Sequence, residues 1–183
     1  MRAGDAVAFT SLYERHYDDV LRYARHRVDE QTARDVAAET FLVAWRRPGK
    51  VPAAEPLPWL YAVARNTLGN VLRLQAREAA LGARVRTAAV TDVYTVQADH
   101  ADNVVQIARV ADALRRLSVR DQEALQLVAW EDLNLAAAAQ VVGCSAATFA
   151  VRLHRARRRL GRLLAAPAPE PAFPYPVLET EAR

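Results

Sequence analysis

The sequence is poor in the residues that hold small proteins together covalently or through metals. Cys144 is the only cysteine, which excludes an internal disulfide and a thiolate cluster for zinc or iron–sulfur chemistry. No stretch approaches the roughly 18 apolar residues that indicate a membrane span, and the N-terminus carries charges where a signal peptide needs an apolar core. These absences predict a soluble, cytoplasmic protein.

Lysine is almost missing as well, because Lys50 is the only one and arginine supplies nearly all of the positive charge. The formal net charge is +4 and the pI is about 9.6. An excess of this size is compatible with a polyanionic partner but does not by itself predict one. The planar fork of arginine suits phosphate and guanine, although a preference for arginine is also a compositional habit.

Strand patterns, internal repeats and glycine-rich phosphate loops are absent, and helical periodicity dominates from residue 6 to residue 78. A first helix carries one apolar stripe, formed by Phe9, Tyr13, His16, Val20 and Ala24. A second helix is predicted over residues 32–47, with Ala37, Phe41, Ala44 and Trp45 facing inward. A third, WLYAVARNTLGNVLRLQAR, has Pro58 in its first turn and is predicted to face inward with Leu60, Val63, Ala64, Thr67, Val71 and Leu74. The prolines of RRPGKVPAAEPLP predict a stiff loop before it.

The periodicity is lost in EAALGARVRTAAVTDVYTVQADHA, which predicts a flexible linker, and it returns in residues 102–165. There, Ser118 followed by Asp121 forms a capping-box pattern. The last segment, APAPEPAFPYPVLETEAR, is predicted to be an extended proline-rich tail. The sequence therefore predicts an all-α fold of two small helical domains, at 1–78 and 102–165, with a linker at 79–101 and a tail at 166–183.

The strongest functional pattern is a pair of helices near the C-terminus. Asn134 can cap a short helix, Gly143 allows the positive φ of a tight turn, and Ser145 can cap the next helix. That last helix has one apolar face (Phe149, Leu153, Ala156, Leu160 and Leu163) and a separate arginine row (Arg152, Arg155, Arg159 and Arg162). Such a row repels itself unless an anion neutralises it, and duplex DNA carries a phosphate about every 1.7 Å. The pattern favours a DNA-binding helix-turn-helix over a solvated arginine face.

The run LSVRDQEALQLVAWEDLNLAAAAQVVGCSAATFAVRLHRARRRLGRLL resembles region 4 of the extracytoplasmic-function (ECF) sigma factors of bacterial RNA polymerase. The stretches DVAAETFLVAWRR and PLPWLYAVARNTLGNVLR resemble parts of region 2 of the same family. The resemblance covers about residues 6–165, in the order of the family. It implies that the partners are core RNA polymerase (the β′ clamp coiled coil and the β flap), promoter DNA and an anti-sigma factor, with no cofactor.

The resemblance assigns roles to three groups of residues. Core polymerase would dock on one face of the second helix, where an apolar leucine lies amid charges: Asp35, Glu39, Leu42 and Arg46. The minus-10 element would contact the proline-stiffened loop, which can hold an extruded base, and the third helix: Lys50, Trp59, Asn66, Asn70, Arg73 and Arg77. Trp59 and Tyr61 would each lie either near this DNA or in the core. The minus-35 element would contact the last helix: Ser145, Thr148, Arg152, Arg155 and Arg159.

The sequence departs from the common family pattern at several of these positions. Many relatives have Lys-Ser where Ala150 and Val151 stand, glycine at Ala147 and aspartate at Asn70. Readout of the upstream element would therefore depend on thymine methyl contacts, on Thr148 and Arg152, and on DNA shape, while the arginine row fixes the register on phosphates.

Two other functions compete with this interpretation. A stand-alone helix-turn-helix regulator would explain residues 102–165 but would leave the charged face of the second helix and the proline-stiffened loop without a role. A sigma-like protein too altered to read the upstream element is a variant of the main hypothesis. An enzyme is disfavoured, because carboxylates spaced i, i+4 on a surface helix, such as Asp35 and Glu39, are usually solvated or docked.

Overall fold

The structure is a computed structural model that describes residues 3–82 and 101–165, with side chains described at 6–78 and 106–165. These ranges form seven α-helices and one short 3₁₀ turn, Pro48–Lys50, and contain no strand, so the prediction of an all-α fold is confirmed. The helices are α1 (Ala3–Arg25), α2 (Glu30–Arg46), α3 (Pro56–Gly82), α4 (Ala101–Arg115), α5 (Val119–Ala129), α6 (Leu135–Val142) and α7 (Ala146–Ala165). The predicted tail and most of the predicted linker lie outside the described residues.

Helices α1, α2 and α3 pack against one another around a shared apolar core. Asp29 caps α2, where its Oδ1 accepts a hydrogen bond from the Thr32 backbone N–H at 3.0 Å. The first turn of α3 contains both Pro56 and Pro58, positions at which the missing N–H costs nothing. The core of this unit comes from the apolar stripes of all three helices, including Val20, Ala24, Val36, Ala37, Phe41, Leu60, Ala64 and Leu68.

Helix α3 differs from its prediction in two ways. It continues to Gly82 instead of ending near Arg77, because the residues of REAAL, before Gly82, have high helix propensity even without an apolar stripe. Leu74, predicted to face inward, is 57% exposed, and Leu68 is buried in its place. All side chains from 72 to 78 are exposed, so the C-terminal part of α3 extends beyond the helices that cover its beginning.

Helices α4 to α7 form the second packed group, in which α7 contacts α4, α5 and α6. Ser118 caps α5 as predicted, accepting from the Asp121 N–H at 3.2 Å. Phe149, Leu153 and Ala156 of α7 are buried, as the apolar stripe predicts, and Leu160 and Leu163 are half-buried.

The two groups of helices also pack on each other, through α3 and α6, and their buried residues form one continuous cluster. Ala137, Ala138 and Ala139 are all buried, although they are consecutive. A helix that buries successive residues has neighbours on more than one side, and α6 lies against both α3 and α7.

No single helix within 3–82 or 101–165 is long and apolar enough to cross a membrane, and α6 with α7 meets that criterion only when the two are counted together across a 97° bend.

Candidate nucleic-acid interface

Helices α6 and α7 form a helix-turn-helix whose axes meet at 97°, within the usual range for this motif. The three local signals in the sequence act as predicted. Asn134 Oδ1 accepts from the Ala137 N–H at 2.9 Å, Gly143 has a φ of 71°, and Ser145 Oγ accepts from the Thr148 N–H at 3.1 Å. At the start of α7, Ser145 and Thr148 are exposed, whereas Phe149 is buried.

The hydroxyl groups of Ser145 and Thr148 are also hydrogen-bonded to each other, with Oγ and Oγ1 2.9 Å apart. A DNA base that formed hydrogen bonds with these hydroxyls would compete with the hydrogen bonds of the helix cap. Their capacity for direct readout is therefore small, which agrees with the shortage of donors that the sequence shows in this turn.

A concave cleft of about 610 Å³ lies between the outer face of α7 and the start of α5. It brings together the predicted Arg152, Arg155 and Arg159 with Arg120, which lies on α5 and so has no place in the periodic pattern of α7. Arg152 is half-buried, whereas Arg155 and Arg159 are exposed. The complete lining is Ser118, Arg120, Asp121, Ala147, Thr148, Val151, Arg152, Arg155 and Arg159.

One arginine of this cleft is bound within the protein. Arg159 Nη1 donates a hydrogen bond to Oδ2 of Asp121, a residue that is only 4% exposed. Within the described ranges, Arg120, Arg152 and Arg155 have no acidic partner. The cleft therefore carries a net positive charge that is available to an anion.

The four residues predicted to dock core polymerase are all exposed on α2, opposite its buried face. Leu42 is 38% exposed, and its neighbours on that face are charged. Asp35 accepts a hydrogen bond from Gln31 Nε2 at 3.3 Å, one turn earlier. Glu39 and Arg46 complete the row.

The polar row of α3 is exposed at all four predicted positions, Asn66, Asn70, Arg73 and Arg77. Arg73 is held along the helix, since its Nη2 donates to Asn70 Oδ1 at 2.6 Å and its Nε donates to the Gly69 carbonyl at 2.8 Å. Asn70 and Arg73 thus form one hydrogen-bonded pair on the surface.

A second cavity, of about 820 Å³, opens between α1, the end of α2 and the proline-rich loop. Its aromatic wall comes from Phe9 and Trp45 and its polar groups from Arg15 and His16, while Pro48, Pro52 and Pro56 form the loop side. Trp59 and Lys50, predicted for this region, are not among its lining residues. Trp45, predicted to face the core, is half-buried at the cavity.

Tyr61 belongs to the core. Its side chain is fully buried and stacks on Tyr23 with the ring centroids 4.7 Å apart, so it cannot contact DNA. Burial, followed by the nearby carboxylate of Glu131, raises the pKa of Tyr61. Burial likewise raises the pKa of Tyr23 to about 12.

No group of three or more histidine, cysteine, aspartate or glutamate side chains that could hold a metal ion occurs among the residues with described positions.

Comparison with known families agrees with this architecture. The family model for sigma-70 region 2 matches residues 12–78, and that for sigma-70 region 4 matches residues 107–160. The first match covers α2 and most of α1 and α3, and the second covers most of α4 to α7. The chain is 34% identical over 166 residues to the ECF RNA polymerase sigma factor SigM of Mycobacterium tuberculosis, spanning 88% of this chain and 80% of that one.

The ECF RNA polymerase sigma factor BldN of Streptomyces coelicolor is 33% identical over 169 residues. The aligned part is 89% of this chain but 62% of BldN, so the chain spans less than two thirds of that relative. Among solved structures, the sigma factor RpoE of Bartonella quintana, in complex with the anti-sigma factor NepR, has a similar fold, with a TM-score of 0.65 at 24% identity over 88% of this chain and 99% of the other. CnrH, in complex with the cytosolic domain of CnrY, gives a TM-score of 0.59 at 25% identity, over 89% of this chain and 91% of the other.

The helix-turn-helix, the helices that precede it and both family matches lead to one conclusion: the chain belongs to the ECF group of RNA polymerase sigma factors.

Proposed function

We propose that this chain binds core RNA polymerase and starts transcription at promoters that carry a minus-35 and a minus-10 element. The observation that carries the proposal is the arginine cleft, in which Arg120, Arg152 and Arg155 lie beside an exposed helix-turn-helix without acidic partners. A cleft of one charge sign concentrates counter-ions of the opposite sign, and the phosphates of a duplex are the polyanion that a helix-turn-helix encounters.

The minus-35 element binds along the outer face of α7. Arg152, half-buried and so restricted in its movements, reaches base edges, where the guanidinium fork can pair with guanine. Arg155 and Arg159 are exposed and contact phosphates, which fix the register without reading sequence. Ala147 and Val151 lie in the same cleft and offer apolar contacts to thymine methyl groups.

The minus-10 element binds α3 and the loop before it. The polar row from Asn66 to Arg77, together with Lys50 and Trp59, contacts the strand, and the cavity beside Trp45 receives an extruded base. A cavity of about 820 Å³ lies within the range of small-molecule sites, and its aromatic and proline walls suit a flat ring. Prolines before α3 reduce the entropy that the loop loses on binding.

Core polymerase docks on the exposed α2 face around Leu42. An exposed apolar side chain amid charged neighbours has the composition of an interface anchor with a polar rim. An anti-sigma factor is a further partner in this proposal, because the RpoE structure that resembles this fold contains one. The proposal gives the chain no catalytic role and no cofactor.

The test is reconstitution with core polymerase on a library of genomic fragments, followed by mapping of transcript starts. The proposal requires starts at defined positions that share two sequence elements upstream. Core polymerase alone is the control. If the protein shifts DNA in the absence of polymerase and directs no initiation, a stand-alone regulator takes the place of this function. Starts that share only a downstream element would indicate that α7 does not read the upstream one.

A further inference from the structure

The cavity between α1, the end of α2 and the proline-rich loop contains a largely buried polar side chain with an unpaired nitrogen. His16 lines this cavity, and its side chain is only 14% exposed. Its Nδ1 atom is buried and has no hydrogen-bond partner. Buried polar atoms are usually paired, so the position of His16 has a cost that packing alone does not explain.

Charged groups along α1 fix the orientation of this ring. Asp19 Oδ2 lies 3.6 Å from His16 Nδ1, and Asp19 Oδ1 accepts a hydrogen bond from Arg22 Nη2 at 2.9 Å. The three residues are spaced i, i+3 and i+6, so each lies about one helical turn from the next. A carboxylate beside Nδ1 favours the neutral tautomer that carries its proton on Nδ1. The Nε2 atom is then unprotonated and accepts hydrogen bonds.

The cavity gives a ligand access to that second nitrogen. Because Nδ1 is buried, a molecule in the cavity can reach the polar edge of the His16 ring only at Nε2. Ser11 and Arg15 also line the cavity, but both are exposed and so lie nearer the solvent. The lining, which lies entirely within residues 8–56, contains no carboxylate. His16 thus places a hydrogen-bond acceptor in the enclosed part of the cavity.

The rest of the cavity suits a flat aromatic ring. Phe9 and Trp45 meet edge to face with their ring centroids 4.7 Å apart, while Pro48, Pro52 and Pro56 form the loop side. Nucleobases stack well on aromatic side chains. The volume of about 820 Å³ is in the range of sites that hold small organic ligands, and a base with its sugar is of that kind.

A hydrogen-bond acceptor at this position distinguishes the four bases by their exocyclic groups. Cytosine and adenine carry an amino group, which donates, whereas thymine and guanine carry an oxo group at the corresponding ring position, which accepts. An oxo group that faced Nε2 would bring two acceptors together in an enclosed site. Unpaired polar groups of this kind give an enclosed site its strongest discrimination between ligands.

We propose that His16 reads the extruded base of the minus-10 element and selects cytosine or adenine over thymine or guanine, and that Asp19 is the positioning residue that sets the His16 tautomer. The source of the base rests on the proposed function, whereas the preference for an amino group rests on the cavity alone. Asp19 does not line the cavity, so it acts on the base only through His16.

The first experiment measures base preference in the free full-length chain, without polymerase or a promoter. Hexadeoxynucleotides of cytosine and of uracil carry an amino or an oxo group at the same ring carbon, as do those of adenine and of hypoxanthine. Binding is followed by the NMR shift of the Trp45 indole N–H, which a Trp45→Phe variant identifies. The titrations are run at pH 8, where a free imidazole is neutral. The native chain binds the amino member of each pair about tenfold more tightly than the oxo member.

Two substitutions change the hydrogen-bonding groups and keep the shape of the site. In Asp19→Asn, the amide oxygen stays with Arg22 and the amide nitrogen donates towards His16 Nδ1, which moves the ring proton to Nε2. This variant inverts the preference, so the oxo member of each pair binds more tightly. In His16→Gln, the side-chain amide can both donate and accept, so the ratio of the two affinities falls to about one.

The matched control is Asp18→Asn, because Asp18 is the adjacent, exposed carboxylate and the change in charge is the same. It keeps the native ratio, and circular dichroism shows native helix content in every variant. If Asp19 only stabilised the fold, its substitution would weaken the binding of all four hexamers alike. That outcome, an unchanged ratio in either variant, or a native chain that does not distinguish the members of a pair would overturn the inference.

The second experiment separates this inference from the proposed function. Core polymerase with the native chain is given promoters, found by transcript mapping, in which each non-template base of the downstream element is replaced in turn. One position follows the amino preference of the hexamers, and Asp19→Asn inverts the preference at that position. If initiation is specific but no position responds to Asp19→Asn, the inference fails and the proposed function stands. If the chain directs no initiation while the hexamer preference inverts as expected, the proposed function fails and His16 remains a base-reading residue.

Discussion

Arg159 of α7 donates a hydrogen bond to the buried carboxylate of Asp121 at the start of α5, so the helix that faces DNA is tied to the helix beneath it by one of its own arginines. Ser118 caps the same turn of α5 through the Asp121 N–H. The side chain of Arg159 is half exposed and reaches the cleft as well. Arg159 therefore stabilises the fold through Asp121 and also contributes to the positive charge of the proposed interface.

Arg159→Ala is expected to lower both stability and DNA affinity. Loss of the partner leaves Asp121 buried without compensation, at a cost of about 1–3 kcal/mol in the free energy of unfolding. In an Asp121→Asn background the same substitution should destabilise the protein less, because no buried charge is orphaned, while the loss of DNA affinity persists. Urea denaturation and fluorescence anisotropy measure the two effects. Equal destabilisation in both backgrounds would show that the ion pair is not the cause.

Arg152 and Arg155 should differ in how they affect recognition. Arg152→Ala should relax base preference in the upstream element, because Arg152 is restricted by its half-buried position. Arg155→Ala should weaken binding to all sequences alike and flatten the salt slope by about one unit, as expected for a single phosphate contact. Arg157→Ala, on a different face of α7, serves as the control. Binding to a panel of single-base variants at several salt concentrations distinguishes the two, and identical behaviour of the two variants would refute the assigned roles.

Leu42→Arg should abolish assembly with core polymerase without unfolding the protein. A charge replaces the apolar anchor of the docking face, and loss of an interface anchor costs about 2 kcal/mol or more. Leu74→Arg is the matched control, because Leu74 is also exposed but lies on α3. Size-exclusion co-elution and circular dichroism give the two readouts. Native co-elution of the Leu42 variant would remove α2 as the docking surface.

Local signals in the sequence predicted the helix-turn-helix well, whereas long-range packing had no such signal. Asn134, Gly143 and Ser145 act within a few residues of themselves, so residue type alone determines the caps and the turn. Whether the Leu74 side chain is buried depends on where the neighbouring helices end, and the periodicity of α3 does not contain that information. Arg65 on α3 pairs with Glu123 on α5, and Arg27 pairs with Glu131. These positions lie 58 or more residues apart, and charges with such a separation have no pattern to reveal them.

The buried tyrosines should make stability fall at high pH. Burial raises the pKa of Tyr23 from about 10 in the unfolded chain to about 12. The folded state therefore favours the neutral phenol, and its contribution to stability is complete below pH 10 and is lost as the pH rises through about 12. Tyr23→Phe should reduce this loss. At pH 7 it should change stability by less than about 1 kcal/mol, because the hydroxyl has no protein partner. Urea denaturation at pH 7, 9.5 and 11 compares the two proteins, and parallel pH profiles would contradict the prediction.

Alanine should have opposite effects on stability at Gly143, in the turn between α6 and α7, and at Gly161, inside α7. Gly143 has a φ of 71°, and an added Cβ would meet nothing within 4 Å, so Gly143→Ala is expected to destabilise by about 1 kcal/mol through the backbone alone. Gly143→Asn should lose less stability, since asparagine tolerates the left-handed region.

Gly161 lies inside α7, also with open space around the new Cβ, and Gly161→Ala should stabilise the protein by about 0.5–1 kcal/mol. Because neither change touches a cleft arginine, the affinity of Gly161→Ala for DNA should stay native. That of Gly143→Ala should fall in proportion to any change in the angle between α6 and α7. Thermal denaturation and anisotropy titration measure these effects, and destabilisation by both substitutions would mean that packing, not backbone conformation, governs the two sites.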